Sequence, residues 1–285
     1  MKFFLMLILG GFWVLTLAPP VEAYDLIELL PNGHVNWTRG VLVVKGCEAS
    51  PDTVAGAESK SLSANTAAQN LLDSLNFVRM DARHSITDLI ARNPELQDKI
   101  AQMVAAAPVV NQVRGEKGCI ETAVQFQLTG GFAQLMLPGT IEQVRSIKPI
   151  NGAAEGAESE IGPPRGQPAA DDQDIYTGLI VDARGIGARP SMVPVIVDEN
   201  HQEVYSPAFV SREFAVRQGV CGYARNAQAD FTPRVGSRPL LVKGLRTLDG
   251  RLSDIMISHT DASRVRGASP HLRFLRQCRV MIIMD

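Results

Sequence analysis

The amino-acid sequence predicts an α+β fold of two small domains, each with a mostly antiparallel or mixed sheet and helices packed on one face. Three observations predict it. Strand and helix patterns follow one another in the order β-α-α-β-β in the first half, the 285 residues exceed one common domain, and an acidic Pro- and Gly-containing segment interrupts the chain near its middle. This segment covers residues 151–173, so we expect one domain over residues 24–150 and another over residues 174–285.

The first 23 residues have the pattern of a cleavable secretory signal peptide. Lys2 precedes the apolar run Phe3 to Leu17, and Val21-Glu22-Ala23 provides a small residue at the cleavage position. The run is shorter than the roughly 20 residues that a membrane-spanning helix needs. No Cys follows the predicted cut before Cys47, so the acyl anchor of a lipoprotein is not predicted. We expect a soluble periplasmic protein that begins at Tyr24.

In the first domain, strand patterns flank a helical region. The predicted strands cover residues 35–46, as a pair or one bent strand, 109–113 and 120–128. An apolar stripe at helical spacing begins at Ala64, with Ser63 as its cap. Ser85 and Asp88 have the spacing of a capping box, and Asn93-Pro94 is typical of a further helix start. Alternating side chains over residues 120–128 indicate a sheet with one exposed face.

This domain also carries a family resemblance. Gly33, Trp37-Thr38 and Gly40, the Ala-rich helix and the later Gly130-Gly131-Phe132 step resemble the twenty-kilodalton membrane-associated lipoprotein family and the N-terminal domain of flagellar assembly protein T. The resemblance covers roughly residues 33–138 and implies an envelope-associated, non-catalytic module. In flagellar assembly protein T, such a domain belongs to a ring around the basal body, so flagellar or other envelope proteins are the implied partners. Trp37 is either a contact anchor for such a partner or a core residue.

Residues 151–173 are predicted to form a flexible acidic linker. They carry five acidic groups and one Arg, and Ile161 is their one aliphatic residue beyond alanine. Residues 174–285 carry 15 basic and 11 acidic groups, and 14 of the basic groups are Arg. These Arg residues either meet an anionic partner, such as an outer-membrane lipid or an acidic protein surface, or are solvated and paired with neighbouring Asp and Glu. Nucleic acid is not expected in the periplasm.

The second domain is predicted to contain a mixed, partly antiparallel sheet, similar in position to the middle domain of flagellar assembly protein T. Its predicted strands cover residues 175–181, 193–197, 203–205, 240–245, 252–258 and 280–284. Asp249-Gly250 is typical of a hairpin turn, and Ser211 is a candidate cap for a helix that ends before Gly219. Leu272 to Cys278 is predicted to be helical. The continuous apolar run at residues 280–284 indicates a central strand buried on both faces.

The four cysteines fall two in each domain: Cys47, Cys119, Cys221 and Cys278. In an oxidising compartment three pairings are formally open, and pairing within each domain is the simplest. Buried free thiols are the alternative. We expect no zinc site, because neither C-x-x-C nor H-x-x-x-H spacing occurs.

Candidates for catalysis are confined to the second domain. Asp182, Arg184, Asp198 and Glu199 lie at predicted strand ends, where two carboxylates could act as acid and base. The alternative is an Asp182–Arg184 ion pair that holds a loop, beside a solvated hairpin turn. The Ser258-His259-x-Asp261 cluster lacks a G-x-S-x-G nucleophile turn, and Gly185-x-Gly187 lacks the third glycine of a dinucleotide loop. We therefore predict no catalytic, cofactor or metal site.

Two functional hypotheses follow. The first is an exported, non-enzymatic periplasmic protein that interacts with or assembles envelope proteins, including those of the flagellar basal body, with homo-oligomers as a further candidate. The second is a periplasmic hydrolase that uses Asp182 with Arg184.

Overall fold

The computed structural model describes residues 25–49, 56–114, 119–141 and 175–285. The predicted signal peptide and the predicted linker lie outside the described residues. Within these ranges the chain is α+β, with one antiparallel and one mixed sheet and helices packed on them, as the sequence predicts. None of the helices in these ranges is both long enough and apolar enough to cross a lipid bilayer.

The first sheet is antiparallel and carries helices on one face. Its strands are β1 (Ile27–Leu30), β2 (Gly33–Asn36), β3 (Val41–Ala49), β4 (Val109–Arg114) and β5 (Cys119–Gln127). Its helices are α1 (Gly56–Ser74), α2 (Ile86–Arg92), α3 (Glu95–Ala105) and α4 (Gly131–Met136), with a 3₁₀ turn at Leu75–Phe77. The strands lie in the order β1-β2-β3-β5-β4, so β1 and β4 form the two edges.

The long helix α1 packs directly on β3 and β5. Gly46 makes this close approach possible, because a Cβ at this position would collide with the backbone of Ser63 and Ala67. Ser63 and Thr122 are both buried, and their hydroxyls share a hydrogen bond of 2.5 Å between helix and sheet. The prediction of Ser63 as a helix cap is therefore wrong: α1 begins at Gly56, and Ser63 lies in its interior.

Local signals in the first sheet are otherwise confirmed. Ser85 and Asp88 form the capping box of α2, with the hydroxyl and the carboxylate each accepting from the other residue's amide. In β5, Thr122, Val124 and Phe126 are buried under the helices, as the alternation predicts. β1 and α4 were not predicted.

The second sheet is mixed. Its strands are β6 (Gly178–Asp182), β7 (Val195–Val197), β8 (Glu203–Tyr205), β9 (Gly222–Ala224), β10 (Pro239–Leu248), β11 (Arg251–Ile257) and β12 (Val280–Ile283). Its helices are α5 (Arg212–Gln218), α6 (Thr232–Val235), α7 (His259–Arg266) and α8 (Ser269–Arg276), with a 3₁₀ turn at Pro207–Phe209. The strand order is β8-β7-β11-β10-β6-β12-β9.

Several predictions for this sheet are confirmed. β12 lies between β6 and β9 with every residue buried, which explains its uninterrupted apolar sequence. Gly250 adopts φ 67° in the turn between β10 and β11, a conformation that glycine takes without steric cost. Gly219 ends α5 with φ 80°. Ser211 stands at the N-cap of α5, but its hydroxyl makes no capping hydrogen bond.

The two sheets do not stand apart, because their buried residues form one continuous apolar cluster. Trp37 from the β2–β3 turn meets Tyr223 of β9 edge to face, with ring centroids 5.8 Å apart. The amide of Met192 donates to the carbonyl of Arg79, and that of Val193 donates to Met80, at 3.0 and 2.8 Å. We call this contact region the junction; through it, each sheet shields part of the other's core.

Two arginines fasten the junction. Arg79 donates from Nη2 to both carboxylate oxygens of Glu28 and from Nε to the carbonyl of Pro190, across the junction, at 2.8 Å. From the other side, Arg212 of α5 donates to the carbonyls of Gln134, Leu137 and Pro138 at the end of α4. A cation suits this position because the carbonyls at a helix C-terminus carry partial negative charge and lack partners within the helix.

A disulfide joins Cys47 on β3 to Cys119 on β5, across a sequence separation of 72 residues. The closed loop contains α1, α2, α3 and β4. Closing a loop of this size removes much of the conformational freedom of the unfolded chain.

Replacing both Cys47 and Cys119 by Ala should lower the free energy of unfolding by about 2–4 kcal/mol, because the unfolded chain regains that freedom. Denaturant titration of the oxidised protein measures the difference. A reductant should lower the stability of the wild type to that of the variant and leave the variant unchanged. Equal stability of the oxidised wild type and the variant would contradict a folded-state disulfide.

Cleavage at a protease site inserted within residues 151–173 should leave the two halves bound to each other, since the junction is part of a shared core. Arg212→Ala should weaken their association at least about tenfold, because the carbonyls at the end of α4 lose their charged donor. Arg217→Ala is the matched control: this side chain, on the same helix, stacks on Phe214. Size-exclusion chromatography of the cleaved protein measures the outcome, and separation of the wild-type halves would refute a shared core.

Candidate functional site

Trp37 is buried in the junction, with 5% of its surface exposed. Its indole Nε1 donates to Glu28 Oε2 at 2.9 Å, which satisfies the polar atom of the ring. Glu28 in turn holds Arg79. Of the two interpretations of Trp37, the structure favours the core residue: the ring anchors one sheet of this chain to the other.

Asp182 and Arg184 form a closed ion pair at the end of β6. Asp182 Oδ1 accepts from Arg184 Nε at 2.8 Å, and Oδ2 accepts from Nη2 at 2.9 Å. Lys243 Nζ, on the neighbouring strand, lies 3.4 Å from Oδ2. The Arg184 guanidinium holds the pKa of Asp182 far below its usual range. A carboxylate that is ionised at every physiological pH has no proton to donate, and the pair ties down the loop after β6.

Asp198 and Glu199 lie in the turn after β7, and both hold α7. Burial alone would raise the pKa of Asp198, but Arg266 and the amides of Gln202 and Asn200 hold it below its ordinary value. Arg266 Nη1 donates to Asp198 Oδ2 at 2.8 Å. At the other end of the helix, Glu199 Oε2 accepts from the amide of His259 at 2.7 Å.

The carboxylates of Asp182 and Asp198 are not brought together. In the sheet, β10 and β11 lie between β6 and β7. Three strand spacings separate the two backbones by about 14 Å, so the two strand ends are not neighbours in the sheet. The interpretation of these strand ends as an acid and base pair therefore finds no support in the geometry.

Ser258, His259 and Asp261 form a helix start. The Ser258 hydroxyl accepts from the amide of Asp261 at 3.0 Å and donates to its carboxylate at 2.9 Å, as the N-cap of α7. Since this hydroxyl is engaged by Asp261 itself, the three residues have no arrangement for nucleophilic attack. No cluster of three His, Cys, Asp or Glu side chains that could hold a metal ion occurs in the described ranges.

Pairing within each domain would join Cys221 to Cys278. The structure does not have this disulfide, and both residues are free thiols in the core. Burial raises the pKa of Cys221 to about 12 and that of Cys278 to about 11. Thiol–disulfide exchange requires the thiolate, so burial keeps these groups unreactive. They behave as small apolar residues.

The most accessible feature of the first sheet is its edge strand β4. All six of its residues are exposed, and within the described part of the chain no strand pairs with its outer side. Val109, Val110 and Val113 expose 48%, 51% and 45% of their surface. An open edge of this kind presents unpaired backbone N–H and C=O groups beside apolar side chains.

The region of the second sheet is similar to a known family. Residues 178–285 match the family described as Treponema pallidum Tp0624, second domain. The match begins at the first residue of β6 and coincides with the second sheet. No curated protein matches the chain.

Sequence reasoning missed the residues that build the junction and the exposure of β4. The strand at residues 109–113 was predicted, but nothing in its sequence distinguishes an edge from a central strand. Two adjacent valines, Val109 and Val110, break the apolar-polar alternation, and that break is the one local signal of an irregular strand; the structure has a register shift there.

Asp182→Asn should lower the free energy of unfolding by about 1 kcal/mol at neutral pH, because Arg184 and Lys243 lose their partner. The folded-state pKa of Asp182 is lowered, so its ion pair contributes fully above about pH 4. The contribution declines as the pH falls below that value and is lost as the pH passes through the lowered folded-state pKa. Denaturant titrations at neutral pH and at pH 3 should therefore show the difference between wild type and variant shrinking in acid.

Asp249→Asn is the control for this experiment, since Asp249 is an exposed turn residue; it should change stability little at either pH. The hydrolase hypothesis expects the opposite pattern for Asp182→Asn, with unchanged unfolding and lost turnover of an envelope substrate.

Proposed function

We propose that this chain is an exported, non-enzymatic interaction or assembly protein of the bacterial cell envelope, and that it binds an extended segment of a partner protein along β4. The open apolar edge of the first sheet is the observation that carries the proposal. A partner segment would add a sixth strand, with main-chain hydrogen bonds supplying affinity and the exposed valines supplying side-chain contacts.

The contrast between β4 and the other edges supports this choice. In the described part of the chain the edge strands are β1, β4, β8 and β9, and β4 is the longest of these, with six residues. Every residue of β9 is buried. In β1, Glu28 is held by Trp37 and Arg79. Natural proteins protect an open edge with charged side chains, Pro, short length or a bulge. β4 has no Lys or Pro, its one charge is the terminal Arg114, and its register shift is confined to Val109–Asn111, which leaves Asn111 to Arg114 as a regular edge.

The edge is also held in a fixed geometry. β4 pairs with β5 over Val109 to Arg114, and β5 is joined to β3 by nine paired residues and by the Cys47–Cys119 disulfide. A rigid template loses little conformational entropy when a partner binds, so more of the interaction energy becomes affinity.

Two lines of sequence reasoning support the envelope as the location of the partner. The leader predicts export to the periplasm, where the disulfide is compatible with the redox conditions. The resemblance to the lipoprotein family and to flagellar assembly protein T implies protein partners for this same sheet. The hydrolase alternative has less support, because both carboxylate oxygens of Asp182 accept hydrogen bonds from Arg184. The neighbouring carboxylate of Asp285 is likewise engaged, by the Gly185 amide.

The test compares the wild type with the double variant Val110→Lys/Val113→Lys, each produced in the bacterium that naturally makes this protein. Two charges on an open edge should block strand addition, while stability should stay within about 0.5 kcal/mol because both side chains are exposed. Photo-crosslinking from position 111, followed by mass spectrometry, should return a specific envelope partner in the wild type and lose it in the variant.

Leu29→Lys provides the matched control, since Leu29 lies on the opposite edge strand and is 82% exposed. It should leave the adduct unchanged. Retention of the adduct in the β4 variant, or its equal loss in both variants, would contradict the proposal. A crosslink to a second copy of this chain would show that the partner segment comes from a homo-oligomer. A swimming assay on a deletion strain separates a flagellar role from a general envelope role.

A further inference from the structure

A cavity of about 80 Å³ opens at the junction between the two sheets. Its walls come from both sides, from the β2–β3 turn and α4 of the first unit and from the segment between α5 and β9 of the second. Much of the lining is apolar, including Trp37, Leu137, Met192 and Val220. Because neither unit forms this cavity alone, it exists only where the two are packed together.

Arg234 provides a positive charge at this cavity. Its guanidinium donates to three backbone carbonyls, those of Gln218, Gly219 and Val280, at 2.8 to 2.9 Å. Three of its five N–H donors are thereby used and two remain. No carboxylate pairs with it among the described residues. Gly222 admits the Arg234 stem, because a Cβ there would lie 2.8 Å from its Cδ.

Ser191 lines the same cavity and is fully buried, and its hydroxyl has no hydrogen-bond partner among the described residues. Its backbone is fixed: the Tyr223 hydroxyl accepts from the Ser191 amide at 3.1 Å and donates to the Ser191 carbonyl at 2.7 Å. A buried hydroxyl without a partner is costly and uncommon in folded proteins. Because Ser191 lines the cavity, rotation about its Cα–Cβ bond would turn this unused donor toward a bound acceptor.

The charged residues that line the cavity determine whether an anion or a cation is favoured as the ligand. Among the described residues, the lining contains two arginines and no Asp or Glu. Arg39, at the same cavity, is already paired with Asp25 at 2.8 Å, which leaves Arg234 as the uncompensated charge of the lining. An anion would therefore be stabilised, whereas a buried ammonium group would meet no carboxylate.

We propose that the junction cavity binds a small carboxylate with a short apolar chain. The carboxylate oxygens accept from Arg234 and from the Ser191 hydroxyl, and the chain lies against the apolar wall. An apolar cavity of about 150 Å³ holds the six carbons of benzene, so a cavity of about 80 Å³ encloses about three non-hydrogen atoms. It therefore takes the carboxylate group, and the apolar chain extends along the wall toward the opening. The site is independent of β4, and a free amino acid fits it poorly because of its ammonium group.

Isothermal titration of the mature full-length protein with butyrate, isovalerate and hexanoate tests the proposal. At least one of them should bind and raise the melting temperature. Isovaleramide and isoamylamine match isovalerate in shape but lack its charge, so they should bind at least about tenfold more weakly. L-leucine should also bind more weakly than isovalerate.

Ser191→Ala should weaken binding of the best carboxylate about tenfold, because a hydrogen bond to a charged group is lost. The unliganded protein should not be destabilised, since the deleted hydroxyl has no partner. Ser253→Ala is the matched control: that hydroxyl is also buried without a partner but does not line the cavity. It should leave affinity unchanged.

Arg234→Gln should abolish binding. Should this variant unfold, the comparison of Ser191→Ala with Ser253→Ala and of isovalerate with its amide still decides the question. Absence of binding by all three carboxylates, equal affinity for isovalerate and isovaleramide, or unchanged affinity in Ser191→Ala would each overturn the proposal.

Discussion

The contact between Trp37 and Tyr223 is the interaction on which the rest of the molecule depends. It places an indole ring of the first sheet against an edge strand of the second, and it closes a core that neither sheet completes alone. Glu28 accepts from the indole and from Arg79, and Arg79 reaches across to the carbonyl of Pro190. The large aromatic surface is thus buried while the indole nitrogen, its one polar atom, has a hydrogen-bond partner.

In the second sheet, Asp and Arg side chains form ion pairs with each other or hydrogen bonds with the backbone. Asp182 forms an ion pair with Arg184. The buried Asp198 forms an ion pair with Arg266 and accepts hydrogen bonds from two backbone amides. These contacts fix loops and helix ends, and they engage the carboxylates in structural ion pairs. Arg234 differs because carbonyls, not carboxylates, surround it, so its charge persists where the two sheets meet.

Local signals predicted much of the fold, and tertiary contacts decided the rest. The apolar run of β12, the Asp249-Gly250 turn and the capping box at Ser85 depend on neighbours in sequence, so they could be predicted. Ser63 was misassigned because its hydroxyl bonds Thr122, far along the chain, instead of capping α1. The junction left no local pattern, since it arises from segments that meet only after folding.

The disulfide has a mechanical consequence. β4 lies between Cys47 and Cys119 in sequence, inside the covalent ring that they close. Tension applied through a strand bound to β4 would pass into β5 and then across a sulfur–sulfur bond to β3, so backbone hydrogen bonds would not carry it alone. The bond therefore holds the pair of strands β4 and β5 to the rest of the sheet, even where the hydrogen bonds between β3 and β5 break.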